Sequence, residues 1–467
     1  MKASVPVRIG YSEGQAKRVN ERAIDSRWTR YLGEYNETVP IPPLAFMRLF
    51  GGSFGQWHAH FPGSLAATAD SLDKLCRKYG VTTLYVNVPA FVPYLLMARN
   101  YGKLDIGMLM IAHSVATSFW LRQWIGIAPW IAGRDLLLSS TESCTAALCN
   151  VSPRYAEAME LPLCIELHSG ASGANPEEGH LLAIGRIERV KNIDVLIECF
   201  SDIRRHVPYA RLTIAGEYTG ANAEQIARYE QQIAELVQTL GLTDCIRFTG
   251  AVEGEAKERV FREADVLLNL STEPGETFGY NLIEAKTWGI PVVCTNWDGF
   301  RTVVRHGEDG LLADCDWSGG IPVIDRAQVV EHTVRLLTDR TWRERMGRRA
   351  AERACEYDYR TIMPRLAAGL ALRSDNAKLA GATGAAQAPV YPIVGPDEVT
   401  RHASIPLREL TALYRSDRLP GTGLLDETLL SVLAERPEPD YEIWMSRVKP
   451  IIHHFAGRGA FAKLSPV

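Results

Sequence analysis

Short apolar runs alternate with helical patterns along the first third of the chain. Three of them, TTLYVNV, IGMLMIA and DLLLSS, have strand length, and each is followed by a segment with helical spacing of apolar residues. Two further runs, VPVRIGY near Val5 and LCIELHS near Leu163, predict strands that open and close this half. The segment SLAATADSLDKLCRKYG predicts an amphipathic helix that ends at Gly80, because glycine commonly follows the last helical residue.

The alternation is more regular in the second half of the chain. Six apolar runs predict strands: HLLAIGRI, RLTIAGE, CIRFTG, VLLNLS, PVVCTN and GLLAD. Helical patterns such as NIDVLIECFSDIRRH and EQIARYEQQIAELVQTLG lie between them. Strands that alternate with helices form parallel sheets covered on both faces. The predicted fold class is therefore α/β, with two Rossmann-like doubly wound domains that face a cleft, where ligands bind at the carboxyl ends of strands.

Small and polar segments set the predicted boundaries. GASGANPEEG, residues 170–179, is rich in turn-forming residues and indicates a linker. We therefore assign residues 1–168 to an N-terminal domain and residues 180–355 to a C-terminal domain. Residues 373–395 are rich in small residues and proline, which predicts a flexible or irregular connector. Residues 396–467 show helical patterns and predict a helical C-terminal extension.

Composition narrows the class of protein. The 467 residues carry a formal net charge of −4, whereas nucleic-acid binders usually have a strong positive excess. The nine cysteines are scattered without a CxxC pair, which favours a reducing compartment over a disulfide framework or a zinc site. The N-terminus lacks the apolar core of a secretory signal, and the uncharged apolar run over residues 106–121 is too short to span a membrane. We therefore expect a cytoplasmic protein that binds no nucleic acid.

The stretch EPGETFGYNLIEAKTWGIPVV, residues 273–293, carries the most unusual combination of residues. Seven residues separate Glu276, in a predicted loop, from Glu284, inside the helix that follows. The start of this helix, Phe278–Asn281, offers unpaired backbone N–H groups to an anion. Gly279 lets a ligand approach the backbone closely.

Two cations precede this motif along the chain. Arg186 and Lys191, in HLLAIGRIERVKN, follow the first strand of the C-terminal domain. Arginine matches a diphosphate with its planar fork, and lysine acts as a point charge. The cations and the helix start suit a diphosphate, while the two carboxylates suit hydroxyl groups that donate to them. A nucleotide sugar carries both kinds of group.

Four segments follow one another along the C-terminal domain: GRIERVKNIDVLIECF, RLTIAGE, IRFTGAV and ADVLLNLSTEPGETFGYNLIEAKTWGIPVVCT. In this order they resemble the retaining glycosyltransferases of family 4, which have the GT-B fold. The spacing of Glu276 and Glu284 matches the paired-glutamate motif of that family. The resemblance covers residues 180–314 and is weak in the first half. It also implies that a helix over residues 356–372 crosses back to the N-terminal domain.

The resemblance implies a role for each matched residue. Glu276 would bind hydroxyls of the transferred sugar, and Glu284 would bind the ribose hydroxyls. Arg186 and Lys191 would neutralise the leaving diphosphate, and His113, in MLMIAHS, would face the donor sugar and the acceptor. The sugar and distal phosphate would meet the backbone of Phe278, Gly279, Tyr280, Asn281 and Leu282, and the base would lie beside Gly250, Ala251 and Val252.

The implied reaction is a hexosyltransferase reaction of class EC 2.4. A sugar would pass from a UDP- or GDP-sugar to an acceptor hydroxyl with retention of anomeric configuration and without a metal ion or other cofactor. Fixed cations and a helix start would stabilise the charge on the leaving diphosphate. Two alternatives remain: another GT-B enzyme, either a nucleotide-sugar epimerase or a pseudoglycosyltransferase, and a nucleotide-sugar binding protein without catalytic activity.

Two other groups of residues contain side chains of the types that bind metal ions. Asp314, Cys315 and Asp316 spell the DxD sequence that holds a divalent metal in other glycosyltransferases, but they lie far in sequence from the phosphate residues. His58 and His60 are too few to form a metal site alone. We therefore predict no metal site.

The sequence does not identify the acceptor. A glycan, a lipid-linked molecule or a small molecule could supply the hydroxyl. Trp120, Trp124 and Trp130 lie in an apolar segment that could contact a membrane surface peripherally, line a sugar pocket or fill the core. The C-terminal extension could form a homodimer contact or cover the cleft.

Overall fold

The computed structural model describes residues 7–12, 19–53, 56–57, 60, 64–86, 92–115, 120, 124, 127–128, 130–151, 153–167, 178–220, 222–273, 276, 278–316 and 322–383. They form two compact units. One holds the described residues up to Leu161 and those from Ile362 onward, and the other holds Pro162–Thr361. The predicted extension over residues 396–467, most of the predicted linker and His58 lie outside the described residues.

Six parallel strands form the sheet of the first unit, in the order β2-β1-β3-β4-β5-β6. Its strands are β1 (Arg8–Tyr11), β2 (Glu37–Pro40), β3 (Thr83–Tyr85), β4 (Gly107–Ala112), β5 (Leu136–Ser139) and β6 (Met159–Glu160). The α-helices that the structure describes before residue 161 include α1 (Val19–Tyr35), α2 (Pro43–Met47), α3 (Leu65–Tyr79), α4 (Val92–Gly102) and α5 (Glu142–Val151). Every residue of β4 is buried, which fits its place inside the sheet.

A second sheet of six parallel strands forms the other unit, in the order β12-β11-β10-β7-β8-β9. Its strands are β7 (His180–Ile184), β8 (Arg211–Ala215), β9 (Ile246–Gly250), β10 (Val266–Asn269), β11 (Val292–Thr295) and β12 (Gly310–Ala313), and a small antiparallel pair, β13 (Cys315–Asp316) and β14 (Val323–Ile324), follows. Its helices are α6 (Ile193–His206), α7 (Ala223–Thr239), α8 (Gly254–Glu263), α9 (Tyr280–Thr287), α10 (Phe300–Val303), α11 (Arg326–Thr338) and α12 (Arg340–Ala354).

The predicted fold class of two doubly wound α/β domains is confirmed. All six strands expected in the second half form. In the first half the prediction for LCIELHS is wrong, because its described residues, 163–167, make an isolated bridge between Ile165 and Asp358 and no strand, and β6 ends the sheet instead. The pattern also missed β2, whose sequence ETVP lacks an apolar run. This strand pairs only with β1 at the edge of the sheet, so it needs no two-sided apolar surface.

Glycines end two of the predicted helices. Gly80 follows α3 in the left-handed conformation with φ of 63°, as predicted. Gly289 has φ of 69° shortly after α9, and Ile290 then donates its N–H to the carbonyl of Ala285 at 3.0 Å. The chain thereby turns from α9 into β11.

The last described helix, α13 (Tyr359–Thr383), begins in the second unit and continues in the first. It extends past residue 372, so the first part of the predicted irregular connector is helical. The segment contains alanine, leucine and lysine, which favour helices, and the proline-rich part comes only later. Arg373 anchors the helix in the first unit by donating to the carbonyl of Glu157 at 2.8 Å.

A buried ion cluster holds α9 in place. Lys286 of α9 and Asp309 both have 0% exposed side chains, with Nζ and Oδ2 2.8 Å apart. Lys286 also donates to the carbonyl of Val303, and Arg353 of α12 donates to Asp309. Burial lowers the pKa of Lys286, which shows how strongly this charge depends on its partner. The cluster fixes the helix whose start belongs to the site described below.

Replacement of Asp309 by alanine should destabilise the second unit by about 3–5 kcal/mol, because Lys286 loses its buried counter-ion. Urea unfolding monitored by circular dichroism measures this change. The control is Glu344→Ala, which removes an exposed partner of Arg340 on α12 and should leave the unfolding midpoint unchanged. An equally small effect of both substitutions would contradict the role given to the cluster.

Candidate active site

The candidate site lies where the order of strands reverses in the second unit. The chain runs from β7 to β8 and β9 on one side and then returns to β10, β11 and β12 on the other. This makes β7 and β10 parallel neighbours, although they are far apart in sequence. In open α/β sheets ligands bind at such a reversal, outside the carboxyl ends of the strands.

Close backbone packing shapes the end of β7. Gly185 follows the strand with φ of 147°. A Cβ atom on Gly216 would lie 1.7 Å from the carbonyl oxygen of Gly185, so only glycine fits at position 216. Arg186 comes next, and a 3₁₀ turn over Arg189–Lys191 follows. Both predicted cations, Arg186 and Lys191, thus follow β7 at one edge of the sheet.

Arg186 contacts two carboxylates. Its Nη1 donates to Glu188, and its Nη2 lies 2.8 Å from both Oε1 and Oε2 of Glu273. Thr219 donates to Glu188 at 3.2 Å and holds that carboxylate from the β8 side. Burial disfavours the charge on the guanidinium, but the two carboxylates outweigh burial and raise the pKa of Arg186.

Lys191 lies between Glu273 and Glu276. Its Nζ is 2.5 Å from Oε2 of Glu273 and also donates to Oε2 of Glu276. Ser271 donates to the same oxygen of Glu276 at 3.0 Å. Burial opposes the charge on Lys191, yet the two glutamates raise its pKa. The structure therefore brings together three residues predicted to be catalytic, namely Arg186, Lys191 and Glu276.

Sequence reasoning gave no role to Glu273, which the structure places at the centre of the cluster. Its backbone is fixed, because its N–H donates to Ser271 at 3.2 Å and its carbonyl accepts from the Trp297 indole at 2.9 Å. Burial would raise the pKa of its carboxyl, but Lys191 and Arg186 lower that pKa to about 2. The one sequence signal was an acidic residue soon after a buried strand.

The start of α9 forms the adjoining part of the site. Gly279 precedes the helix with φ of 89°, and a Cβ there would lie 2.6 Å from the ring of Phe300. Within the part of the chain that the structure describes, no side chain caps this helix start. Leu282 already donates its N–H to the carbonyl of Gly279 at 3.1 Å, and the side chains of Phe278 and Leu282 are buried. The first turn of α9 therefore combines a close-packed glycine with apolar anchors.

Asn281 ties the first turn of α9 to both central strands. Its Nδ2 donates to the carbonyl of Ile184, at the end of β7, at 2.6 Å. Its Oδ1 accepts from Asn269, at the end of β10, at 3.0 Å. The side chain of Asn281 thus has a structural role beside the backbone role predicted for this residue.

Glu284 lies further along α9 and contacts Lys257 of α8. The Nζ of Lys257 is 2.5 Å from Oε1 of Glu284, and both side chains are partly exposed. Lys257 was not singled out by the sequence, where it is one of several charged residues on an amphipathic helix. The fold brings α8 and α9 side by side, and only this arrangement pairs Lys257 with Glu284.

Gly250 is the last residue of β9, the edge strand of the sheet, and Ala251 and Val252 follow it. Gly250 has φ of 70°, with no atom within 4 Å of a Cβ at that position, and Gly250 and Ala251 are exposed. Two strands separate β9 from β10 in the sheet order. A ligand that contacts this loop and the cation cluster must therefore be elongated along the edge of the sheet.

His113 belongs to the first unit, directly after β4. The ring is partly accessible, but burial lowers the pKa of His113 to about 4. The imidazole is therefore neutral at neutral pH. A neutral ring offers one hydrogen-bond donor and one acceptor.

Two of the three tryptophans in the apolar segment belong to the core. Trp124 and Trp130 are each 2% exposed, and Trp124 donates its indole N–H to the carbonyl of Ser114 at 2.8 Å. Trp120 is partly exposed and stacks on Trp124 with ring centroids 6.3 Å apart. Of the helices described, none is long and apolar enough to cross a membrane.

Asp314 takes part in a local hydrogen-bond network. It accepts from Asn296 at 3.1 Å and from Gln328 at 3.3 Å, and Cys315 is buried. The described residues contain no group of three or more histidine, cysteine, aspartate or glutamate residues that could hold a metal ion.

Comparison with known proteins points to the same half of the chain. Residues 165–353 match the family model of the glycosyl transferases group 1. This range contains every residue of the cation cluster and the whole of α9. Over 184 residues the chain is 34% identical to D-inositol 3-phosphate glycosyltransferase of Pseudarthrobacter chlorophenolicus. The match covers 39% of this chain and 40% of that protein.

A second relative is phosphatidyl-myo-inositol mannosyltransferase of Mycobacterium leprae, 30% identical over 212 residues. This match covers 44% of the chain and 51% of the relative. The chain thus spans between two fifths and about half of the length of these curated relatives.

Two solved structures share the fold of this chain, which is of the GT-B type. Anabaena Alr3699/HepE in complex with UDP-glucose has a TM-score of 0.59 at 17% identity and covers 78% of this chain and 99% of that chain. Sucrose-phosphate synthase from Thermosynechococcus elongatus has a TM-score of 0.57 at 18% identity, with 80% of this chain and 100% of that chain covered. At these identities the likeness establishes the fold.

The depressed pKa of His113 can be measured directly by NMR. The ring resonance, assigned with a His113→Gln variant, should stay at its neutral position from about pH 8 to pH 5, where an unperturbed histidine with a pKa of about 6.5 would titrate. Protonation should begin only as the pH approaches about 4. A midpoint between about pH 6 and 7 would show that the environment does not exclude the charged form.

Proposed function

We propose that this protein is a retaining glycosyltransferase of family 4, a hexosyltransferase that uses a nucleoside diphosphate sugar and needs no metal ion. The observation that carries the proposal is the juxtaposition of Arg186, Lys191 and Glu276 next to the start of α9, at the strand reversal. The glycosyl transferases group 1 match over residues 165–353 supports it. So does the fold shared with Alr3699/HepE, which was solved with UDP-glucose.

The donor would lie along the carboxyl edge of the second sheet. Its diphosphate would meet the two cations and the first turn of α9, because both offer positive charge. Glu276 would accept hydrogen bonds from hydroxyls of the sugar, and Glu284 from hydroxyls of the ribose. The base would lie beside residues 250–252, at the edge strand β9. UDP- and GDP-sugars both fit this order of groups.

Stabilisation of the negative charge that develops on the diphosphate would favour transfer of the sugar. The bond between the anomeric carbon and the diphosphate oxygen breaks, and the electron pair leaves with the diphosphate. Arg186, Lys191 and the helix start would stabilise that charge as fixed positive groups. The acceptor oxygen forms its bond on the same face of the sugar, and its proton passes to the leaving phosphate oxygen. His113, neutral at neutral pH, would hydrogen-bond a hydroxyl of the sugar or acceptor.

The acceptor is a molecule with a free hydroxyl, whether a glycan, a lipid-linked molecule or a small molecule. Product analysis separates this function from its alternatives. A retaining transferase leaves the sugar in the anomeric configuration of the donor, in the transfer product and in any slow hydrolysis product. A nucleotide-sugar epimerase changes the sugar, a pseudoglycosyltransferase joins rings that are not sugars, and a binding protein yields no product.

Nucleotide binding tests the donor site. In buffer with EDTA, at least one of UDP, GDP and ADP should raise the melting temperature, because a ligand of the native state stabilises it by mass action. Arg186→Gln and Lys191→Gln should each weaken the affinity measured by calorimetry about 10- to 100-fold, the value of a hydrogen bond to a charged group.

The control for this experiment is Arg228→Ala, which removes an exposed arginine of α7 outside the site and should leave the affinity unchanged. Circular dichroism of each variant verifies the fold. If none of the three nucleotides shifts the melting temperature, the donor-site proposal fails. Binding that requires added Mg²⁺ or Mn²⁺ would contradict metal independence.

A further inference from the structure

We propose that Lys257 is a positioning residue, which holds the carboxylate of Glu284 for the ribose of the donor and so makes the site select ribonucleotides over 2′-deoxyribonucleotides. This inference rests on the proposed function, because it assumes that Glu284 binds the ribose hydroxyls. It adds the class of donor, a nucleoside diphosphate sugar built on ribose, with donors built on deoxyribose bound more weakly. The paired-glutamate motif does not include Lys257.

Lys257 and Glu284 join two helices that begin next to different parts of the proposed donor. Lys257 belongs to α8, which starts shortly after residues 250–252, the segment proposed to lie beside the base. Glu284 belongs to α9, whose first turn is proposed to meet the diphosphate. The ribose connects the base to the diphosphate in a nucleotide. The pair therefore ties together the two elements between which the ribose would lie.

The carboxylate of Glu284 keeps acceptor capacity beyond its contact with Lys257. Nζ of Lys257 lies 2.5 Å from Oε1 of Glu284, and within the described part of the chain neither charged group has another hydrogen-bonding partner. A carboxylate offers about four acceptor positions, so Oε2 and the rest of Oε1 suit the neighbouring hydroxyls of a ribose. The side chain of Glu284 is 20% exposed, which lets a ligand reach it.

The ion pair acts on the orientation of Glu284 more than on the stability of the fold. Both side chains are partly exposed, and such pairs add little to the free energy of unfolding. A glutamate side chain rotates about several bonds, so without a partner its carboxylate would sample several rotamers. A contact with the neighbouring helix restricts that freedom before the ligand arrives, which lowers the entropic cost of binding.

The possible roles of Lys257 differ in their effect on the preference for ribose. Loss of a residue that positions Glu284 weakens the contact with the 2′-hydroxyl, which a deoxynucleotide lacks, so the preference for the ribonucleotide should fall. A lysine that binds the phosphates or the base would lose affinity for both nucleotides in parallel, because they share those groups. Repulsion between an unpaired Glu284 and the diphosphate would also weaken both forms equally.

Calorimetry tests the proposal with UDP, GDP and ADP and with the 2′-deoxy form of each as probes. For the nucleotide that binds wild type, the ribose form should bind about tenfold more tightly than the deoxyribose form, as expected for a hydrogen bond to a charged group. Lys257→Met should reduce this ratio about three- to fivefold, in keeping with a partly exposed ion pair. Lys257→Arg should restore most of the ratio.

The matched control is Arg259→Met, which removes an exposed cation from the same helix and should leave the ratio unchanged. A double variant shows whether Lys257 acts through Glu284. Glu284→Gln should by itself remove most of the preference for ribose, and addition of Lys257→Met should then lower the ratio no further. Independent losses that add in the double variant would overturn the positioning role.

The outcomes separate this inference from the proposed function. A wild-type protein that binds none of the probes overturns the donor site and the role of Lys257 together. An unchanged ratio in Lys257→Met, or a parallel loss of affinity for both forms, overturns the role of Lys257 alone. Equal binding of both forms by wild type overturns the ribose contact of Glu284 and the role of Lys257, while the diphosphate site is retained. If circular dichroism shows that Lys257→Met does not fold, Lys257→Gln decides, with the same expected fall in the ratio.

Discussion

The need to keep two partly buried cations next to each other governs the second unit. Arg186 and Lys191 follow the same strand, and their like charges would repel each other without the carboxylates around them. Those carboxylates come from two segments, residues 186–191 after β7 and residues 271–276 after β10. The strand order that makes β7 and β10 neighbours is therefore the condition on which the site depends.

The surrounding structure holds these two segments at fixed positions. Glycine at position 216 lets β8 follow β7 closely, and Asn281 ties α9 to the ends of both central strands. The buried pair of Lys286 and Asp309 anchors the far end of the same helix. Preorganisation of this kind is what electrostatic catalysis requires, because groups that are already oriented need not reorganise during the reaction.

Much of the second unit could be predicted from the sequence, because five of its six strands are largely buried apolar runs and its helices have clear periodicity. The grouping of Arg186, Lys191 and Glu276 followed from their positions after strands that a doubly wound sheet brings together. Other features had no such signal. β2 is an edge strand with polar residues, and the contact of Lys257 with Glu284 joins two helices across 27 positions of sequence. Glu273 was passed over because spacing from the Phe-Gly pair selects Glu276, whereas side-chain contacts show which carboxylates meet the cations.

The central claim is that the cation cluster beside α9 is a site for the diphosphate of a nucleotide sugar. A crystal structure of the protein with a bound nucleoside diphosphate tests it most directly. We predict phosphate oxygens at about 3 Å from Arg186 and Lys191 and next to the first turn of α9. A nucleotide bound elsewhere, without phosphate contacts to either cation, would contradict this claim.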